Sequence, residues 1–218
     1  MEPIVGVGGM IFLPQNYVKE VRKLCDKYHI ILIFDECQTG FGRLGKWYAY
    51  QEYEVVPDMV TSAKAMGLGF AVSSVTMKED LAKKVEGSIS HFCSHQNDPL
   101  SARVVSFVID EIIKRDLLNR NLIIGEKLLK GLIDISNHSE YLTHPRGRGL
   151  MCAFDLPFDL VGDNRSITNR LIRLMEEEGI FIQAIRQGKT FRIMPNYLIS
   201  NEEIDYFLSK LDRCLYKL

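Results

Sequence analysis

The chain has 218 residues, 27 basic and 28 acidic, so its formal net charge is only -1. This balance lacks the basic surplus that is typical of nucleic-acid-binding proteins. Hydrophobic residues make up 46% of the sequence, enough for a real core, and no apolar run approaches the ~18 residues of a membrane span. We therefore expect one or two folded domains that bind neither nucleic acid nor membranes.

The cysteines indicate a reducing compartment. They are odd in number, and no two form a Cys-x-x-Cys pair. The N-terminus also lacks the basic start and apolar stretch of a signal peptide. These features predict a cytoplasmic protein whose thiols are free. The five cysteines are Cys25, Cys37, Cys93, Cys152 and Cys214.

An α/β pattern begins the chain. Residues 3–9 look like the end of a strand followed by a glycine loop, and Pro14 predicts the start of a helix that continues to Tyr28. The unbroken apolar run Ile30–Phe34 follows it. Such a run predicts a strand that is buried on both faces, as in a parallel sheet.

Strands and helices continue to alternate up to about residue 120. Residues 55–64 predict a turn and a second strand, and residues 71–77 predict a third. Residues 79–85 predict a short helix, and two longer amphipathic helices follow over residues 100–118 and 121–135.

The composition changes near residue 144, which suggests a second region of α+β type. We divide the chain into residues 1–120 and residues 121–218. Ser200 and Glu203 form a capping-box pattern that predicts the start of the last helix. The other predicted elements are a turn at 145–149, strands at 150–156, 180–184 and 190–193, and a helix at 166–178 with Ser166 as its N-cap.

Two chemically useful residues end neighbouring predicted strands. Asp35 follows the run Ile30–Phe34, and Lys64 follows the second strand. The carboxyl ends of strands in open α/β sheets face the ligand crevice. A lysine there can form a Schiff base, and a carboxylate can keep a pyridine nitrogen protonated. The pattern alone slightly favours the alternative, a surface lysine and a structural acid.

Three other patterns match binding motifs incompletely. The glycines of residues 40–45 have dinucleotide-fingerprint spacing but do not directly follow their strand. With Lys46 they nearly match a phosphate loop, but Trp47 replaces the magnesium-binding Ser or Thr, so a nucleotide hydrolase is a weak alternative. His91 and His95 are spaced for a metal site, but no third ligand is evident, and we expect no metal.

Several segments together resemble class III aminotransferases of fold type I, a family that binds pyridoxal 5'-phosphate. The resemblance covers essentially the whole chain, and the order and spacing of its motifs are specific. The segments that carry it are residues 2–9, 32–43, 57–64, 94–100, 146–151 and 191–195.

The resemblance implies a role for each matching residue. Lys64 matches the lysine that binds the cofactor and later moves a proton, and Asp35 matches the acid that pairs with the pyridinium nitrogen. Gln38 matches the residue near the cofactor's phenolic oxygen. Ser94 matches a threonine that reaches the cofactor phosphate of the partner subunit, which implies a homodimer. Arg192 matches the arginine that binds the substrate carboxylate.

The implied activity is the transfer of an amino group from an amino acid to a 2-oxo acid. The amino group that is transferred can be a terminal amine, such as that of lysine. Residues 47–51 and 148–157 look closest to lysine 6-aminotransferase. Val5 and Val7 differ from the pattern, because many members have Gln and Glu there. In that subgroup, the Glu can pair with the arginine and help to sort two substrates.

Members of this family are roughly twice as long as this chain. The resemblance therefore implies an α/β fragment, in which residues 1–120 are the C-terminal part of the large, mostly parallel cofactor-binding domain. Residues 121–218 would be the small C-terminal α+β domain. The missing half carries the loop that cradles the cofactor phosphate, so we expect the chain to need it for activity. A non-catalytic remnant that keeps the fold is the alternative.

Overall fold

A computed structural model describes residues 1–88, 94–157 and 164–218. These residues form two compact units. The first unit comprises Met1–Ile4 and Leu13–Leu118, and the second comprises Val5–Phe12 and Asn119–Leu218. Both combine helices with a sheet, so the expected α/β class is confirmed. The assignment of residues 1–120 and 121–218 to a large and a small domain stays a prediction.

The first half of the chain contains short strands and helices of very different lengths. Pro14 precedes the first helix with an extended backbone, and His29 ends it in the left-handed region at φ 55°. In chain order the elements are β1 (Ile4–Val5), β2 (Ile11–Phe12), α1 (Gln15–Tyr28), β3 (Ile33–Asp35), α2 (Tyr50–Tyr53), β4 (Met59–Ser62), a 3-10 helix (Lys64–Gly67), β5 (Ser74–Met77), α3 (Glu79–Val85) and α4 (Pro99–Lys114).

The sheet of the first unit has the strand order β3-β4-β5. β3 and β4 are parallel, and their register pairs Asp35 with Thr61. β4 and β5 are antiparallel, so this part of the sheet is mixed rather than mostly parallel. The connection from β4 to β5 contains only the 3-10 helix, which is too short for the crossover that parallel neighbours need.

β3 is shorter and less buried than the sequence predicts. Leu32 and Phe34 are buried, but Ile30, Ile31 and Ile33 are 40–55% exposed. Within the described residues, β3 lies at the edge of its sheet, with β4 as its only neighbouring strand. The prediction of a strand buried on both faces is therefore wrong for this chain. An apolar side chain is buried only where another element covers it.

The core of the first unit lies between α1 and the sheet. Phe34 is fully buried there, and burying each side chain of this size contributes about 1.5–3 kcal/mol. The cluster consists of Val18, Cys25, Leu32, Phe34, Tyr53 and Val55.

A carboxylate in the turn before β4 connects three elements of the first unit. Asp58 accepts hydrogen bonds from Arg22 of α1 and from the Leu32 N–H, both at 2.8 Å. It also accepts one from Lys78, which precedes α3, at 2.8 Å. Burial opposes ionisation of Asp58, but these bonds outweigh it and hold its pKa well below the usual range.

The second unit contains an antiparallel sheet with the strand order β6-β7-β9-β8. A capping box of Ser200 and Glu203 starts the last helix, as predicted. The elements are α5 (Leu117–Ser136), β6 (Thr143–Arg148), β7 (Met151–Asp155), α6 (Asn164–Glu177), β8 (Gln183–Ile185), β9 (Thr190–Ile193) and α7 (Asn201–Tyr216).

Two predictions for this unit are wrong. Residues 145–149 were expected to form a turn, but most of them belong to β6, where Gly147 pairs with Cys152 and Arg148 pairs with Met151. Gly147 is needed there, because a Cβ would collide with the Cys152 sulfur. Ser166 is not an N-cap, because α6 begins two residues earlier, at Asn164.

The core of the second unit is formed by one face of the sheet and by α5, α6 and α7. Phe154 of β7 and Phe191 of β9 stack with their ring centroids 5.2 Å apart. Leu128, Leu171 and Leu211, one from each helix, pack in the same cluster and are fully buried. All five residues of β7 are buried, because this strand lies between β6 and β9.

In the part of the chain that the structure describes, no helix combines the length and the hydropathy needed to cross a bilayer.

Candidate active site

The structure places Asp35 and Lys64 at the same end of the first unit's sheet, where β3 and β4 terminate. Asp35 is the last residue of β3, and Lys64 begins the 3-10 helix just after β4. These strands are parallel, so their carboxyl ends lie side by side. Both side chains are exposed. Lys64 has φ 50°, a left-handed conformation that is uncommon outside glycine and occurs often at functional sites.

Asp35 is held as an anion by donors around its carboxylate. Its Oδ1 accepts hydrogen bonds from the Cys37 N–H at 3.0 Å and from the Thr61 hydroxyl at 3.1 Å. The pKa of Asp35 is lowered, first by the Cys37 thiol and then by these two bonds and the charge of Lys64, against the effect of burial. The carboxylate is therefore ionised at neutral pH.

Glu36, the next residue, faces the opposite side and has a different function. Successive side chains of a strand point to opposite faces, and Glu36 is buried at 1% exposure. It accepts hydrogen bonds from the Thr39 hydroxyl and from the N–H groups of Ala49 and Tyr50. Burial raises its pKa. Glu36 thus closes the loop between β3 and α2. The sequence analysis missed this function, although strand alternation indicates that Glu36 faces away from Asp35.

The other predicted residues of the first unit lie in loops. Gln38 is half-buried in the turn that follows β3. Ser94 is exposed and lies a few residues before α4, whose N-cap is Asp98. His95 is exposed as well, while His91 and Cys93 fall outside the described residues. Among the described residues, no group of three His, Cys, Asp or Glu side chains could hold a metal ion.

The glycines of residues 40–45 do not form a nucleotide-binding loop. They lie in consecutive turns, and the next helix begins only at Tyr50. Dinucleotide and phosphate loops need a helix that starts directly at the glycines, because its N–H groups bind the phosphate. The structure therefore argues against the nucleotide-hydrolase alternative.

Arg192 belongs to the second unit, where it lies on β9 opposite Ala153 of β7 and Gln183 of β8. The side chains of Phe191 and Ile193 point into the helix-covered core, so Arg192 points to the other face of the sheet. Its guanidinium donates a hydrogen bond to the neutral amide oxygen of Gln183. A half-buried guanidinium in this position has the fork geometry that suits a carboxylate.

The Asp35–Lys64 edge fits pyridoxal phosphate, the cofactor that the resemblance implies. The Cys37 N–H and the Thr61 hydroxyl both donate to Oδ1 of Asp35, and the carboxylate is exposed, so it is accessible to a protonated ring nitrogen. Lys64 is exposed and close enough for its charge to lower the pKa of Asp35. An anion and a lysine on one sheet edge are the groups that a pyridinium ring and its aldehyde require.

Comparison with known proteins agrees with this chemistry. A family model described as class III aminotransferase matches residues 1–215. Acetylornithine aminotransferase from Methanocaldococcus jannaschii is 33% identical over 97% of this chain and 51% of its own. Succinylornithine transaminase from Photorhabdus laumondii is 33% identical over 100% and 52%. Leucine/methionine racemase from Thermococcus litoralis is 33% identical over 98% and 48%.

Solved structures of transaminases have the same fold as this chain. A transaminase from the marine bacterium Virgibacillus aligns with a TM-score of 0.91 and 25% identity, over 99% of this chain and 52% of its own. Ornithine delta-aminotransferase from Plasmodium falciparum aligns with a TM-score of 0.89 and 26% identity, over 99% and 55%. This chain thus spans about half the length of the relatives that it matches.

Proposed function

The chain belongs to the class III aminotransferase family, and on this basis we propose that the complete protein is a pyridoxal-phosphate-dependent transaminase. It transfers an amino group from an amino acid to a 2-oxo acid. The observation that carries the proposal is the placement of ionised Asp35 and exposed Lys64 at the carboxyl ends of adjacent parallel strands. The complete protein means this chain together with a segment that corresponds to the remaining half of its relatives.

Four side chains have roles in this proposal. Bound pyridoxal phosphate supplies an electron sink for a carbanion at Cα of the amino acid. Asp35 would hold the ring nitrogen in its protonated form, and Lys64 would hold the aldehyde group and move the Cα proton. Gln38 would lie near the phenolic oxygen, and Ser94 would reach the cofactor phosphate of a partner subunit. The Ser94 contact makes the proposed assembly a homodimer.

Arg192 defines the proposed substrate class. We propose that it binds the carboxylate of the 2-oxo acid, because it lies half-buried on β9 beside the neutral amide of Gln183 and its planar guanidinium can contact a carboxylate at two points. Three of the proteins compared above are named for ornithine or its acyl derivatives. We therefore propose a donor of the same chemical kind, an amino acid with a terminal amine, with ornithine derivatives and lysine as the first candidates.

The proposal also covers the cellular compartment and the half of the protein that is not part of this chain. The four described cysteines are free thiols, which suits a reducing cytoplasm. Ile30, Ile31 and Ile33 leave an apolar surface at the edge of β3. We propose that the remaining half of the protein covers this surface, because exposed sheet edges and apolar patches otherwise favour aggregation.

A donor screen with the complete protein tests the proposed activity. Acetylornithine, succinylornithine, ornithine and lysine are each combined with 2-oxoglutarate or pyruvate, and the new amino acid is measured. We expect at least one pair to react, and Lys64→Ala to abolish the reaction. Absence of transfer for every pair would contradict the proposal. Racemisation of leucine or methionine without net transfer would assign the racemase activity named for the Thermococcus relative.

The Arg192→Lys variant tests the proposed carboxylate site. A lysine keeps the charge but loses the two-point contact, so the KM for the 2-oxo acid should rise about tenfold with a smaller change in kcat. Arg186→Lys is the matched control, because Arg186 is an exposed arginine next to β8. An unchanged KM for every 2-oxo acid would rule out this role for Arg192.

A further inference from the structure

One side chain on β4, that of Thr61, faces Asp35 directly, and the proposed function assigns it no role. The parallel register pairs Asp35 with Thr61, and paired residues of adjacent strands present their side chains on the same face. The Thr61 hydroxyl donates a hydrogen bond of 3.1 Å to Oδ1 of Asp35. Thr61 is thus built into the sheet beside the carboxylate that the proposed cofactor requires.

The Cys37 thiol contacts both Thr61 and Asp35. A threonine hydroxyl carries one proton, and Thr61 already donates it to Asp35. Cys37 Sγ lies 3.7 Å from Thr61 Oγ1, and a hydrogen bond from the Cys37 thiol is the largest cause of the lowered pKa of Asp35. Burial raises the pKa of Cys37, which keeps the thiol protonated at neutral pH. The Thr61 hydroxyl and the Cys37 thiol are thus neighbouring side-chain donors to one carboxylate.

We propose that Thr61, supported by the Cys37 thiol, is a positioning residue for the cofactor's ring nitrogen. Together with the Cys37 N–H, it holds Oδ1 of Asp35 and thereby fixes the carboxylate plane. Oδ2 is then directed to the ring nitrogen in one orientation. The proposal rests on the proposed function, because it assumes that pyridoxal phosphate binds at Asp35.

The physical need for such a residue comes from the exposure of Asp35. An exposed carboxylate can rotate and exchange its partners with water, which weakens a hydrogen bond that depends on direction. Donors fixed on β4 and in the turn after β3 reduce this freedom before the cofactor arrives. The same bonds favour the ionised carboxylate, which is the state that stabilises a protonated ring nitrogen.

The first test uses the protein without cofactor, so it does not depend on activity. The carboxyl carbon of Asp35 is titrated by ¹³C NMR in the wild type and in Thr61→Val, which removes the hydroxyl and keeps the branched shape. We expect the pKa of Asp35 to rise in Thr61→Val and to return towards the wild-type value in Thr61→Ser. Thr76→Val, the same change at an exposed position on β5, should leave it unchanged.

The second test uses the complete protein with pyridoxal phosphate. Thr61→Val should lower kcat about tenfold, the effect of losing one hydrogen bond to a charged group, with little change in the KM for the 2-oxo acid. The pH titration of the bound cofactor's absorbance should shift as well. Thr61→Ser should restore both properties, whereas a merely structural substitution would change neither the absorbance titration nor the split between kcat and KM.

The two tests separate failure of this inference from failure of the proposed function. A raised Asp35 pKa in Thr61→Val, combined with a wild type that binds no cofactor, would contradict the transaminase function and with it the positioning role. An unchanged pKa of Asp35 and an unchanged cofactor titration in Thr61→Val would overturn the inference while transamination stands. If Thr61→Val fails to fold, Cys37→Ala takes its place, because it removes the supporting thiol and retains the backbone donor.

Discussion

Strands β3 and β7 come from similar apolar runs but differ in burial. β7 has all five residues buried, whereas Ile33 of β3 and its neighbours Ile30 and Ile31 are 40–55% exposed. β7 lies between two strands of its sheet, and β3 has β4 as its only neighbouring strand among the described residues. An apolar run therefore predicts a strand, but the surroundings of the strand decide how much of it is buried.

The two strands also end differently. Asp35 at the end of β3 is exposed and accessible to a ligand, and its Oδ1 accepts hydrogen bonds from the Cys37 N–H and from Thr61. Asp155 at the end of β7 is buried, with bonds from Arg146 at 2.9 Å and from Thr190 at 2.6 Å. We therefore propose that the same residue type at the same place in a strand serves chemistry in the first unit and stability in the second.

The largest expected effect comes from replacing each of these two acids. Asp35→Asn in the complete protein should lower kcat about 10³-fold, because the ring nitrogen loses its anionic partner. Its free energy of unfolding should change by less than about 0.5 kcal/mol. Asp155→Asn should instead destabilise the protein by about 3 kcal/mol, because Arg146 keeps a largely buried charge.

Steady-state kinetics and urea unfolding of both variants check that Asp35→Asn affects turnover and that Asp155→Asn affects stability. Near-normal turnover of Asp35→Asn would contradict the role of that carboxylate, and unchanged stability of Asp155→Asn would contradict the structural role of the second.

Two leucines, one from each unit, differ in how completely they are packed. Leu128 of α5 is fully buried, whereas Leu24 of α1 is 52% exposed. Leu128→Ala should destabilise the chain by about 3 kcal/mol through lost burial and a cavity, and Leu24→Ala should change stability by less than about 0.5 kcal/mol. Urea denaturation of both variants measures the difference. Equal effects would show that Leu24 is covered by another part of the protein.

The smallest effect concerns acid stability of the first unit. The pKa of Asp58 is lower in the folded chain than the ~3.9 of an unfolded aspartate, so its bonds stabilise the fold above that pH and are lost as the pH falls. Asp58→Asn should therefore cost about 1–2 kcal/mol at pH 7 and make unfolding less dependent on pH below about 4.

Thermal unfolding at pH 3 and pH 7 checks this prediction. The expected result is a smaller difference between the two pH values in the variant, and an unchanged difference would exclude Asp58 as a source of acid sensitivity.

Much of the fold could be predicted from local patterns. α3 and the capping box of α7 lie where the sequence analysis placed them, because propensity and caps are local properties. β6 was missed because its residues are polar and glycine-containing. Its pairing depends on β7, and Arg146 is neutralised by Asp155 of that strand. Such a strand is stabilised by contacts that no local pattern contains.

Only those parts of the candidate site that follow from local patterns could be predicted. Asp35 and Lys64 follow strands, which a sequence pattern can reveal. Thr61 and Glu36 could not be assigned, because the function of Thr61 follows from the β3–β4 register and that of Glu36 from a loop that closes 13 to 14 residues later. Register and loop closure are properties of the folded chain.

We propose that Lys64, which follows the carboxyl end of β4, binds pyridoxal phosphate. Borohydride reduction of the complete protein with the cofactor, followed by peptide mapping, tests it most directly. We expect the reduced cofactor on the peptide that contains Lys64, and we expect Lys64→Ala to abolish the labelling. Stoichiometric labelling of another lysine, with Lys64 unmodified, would contradict it.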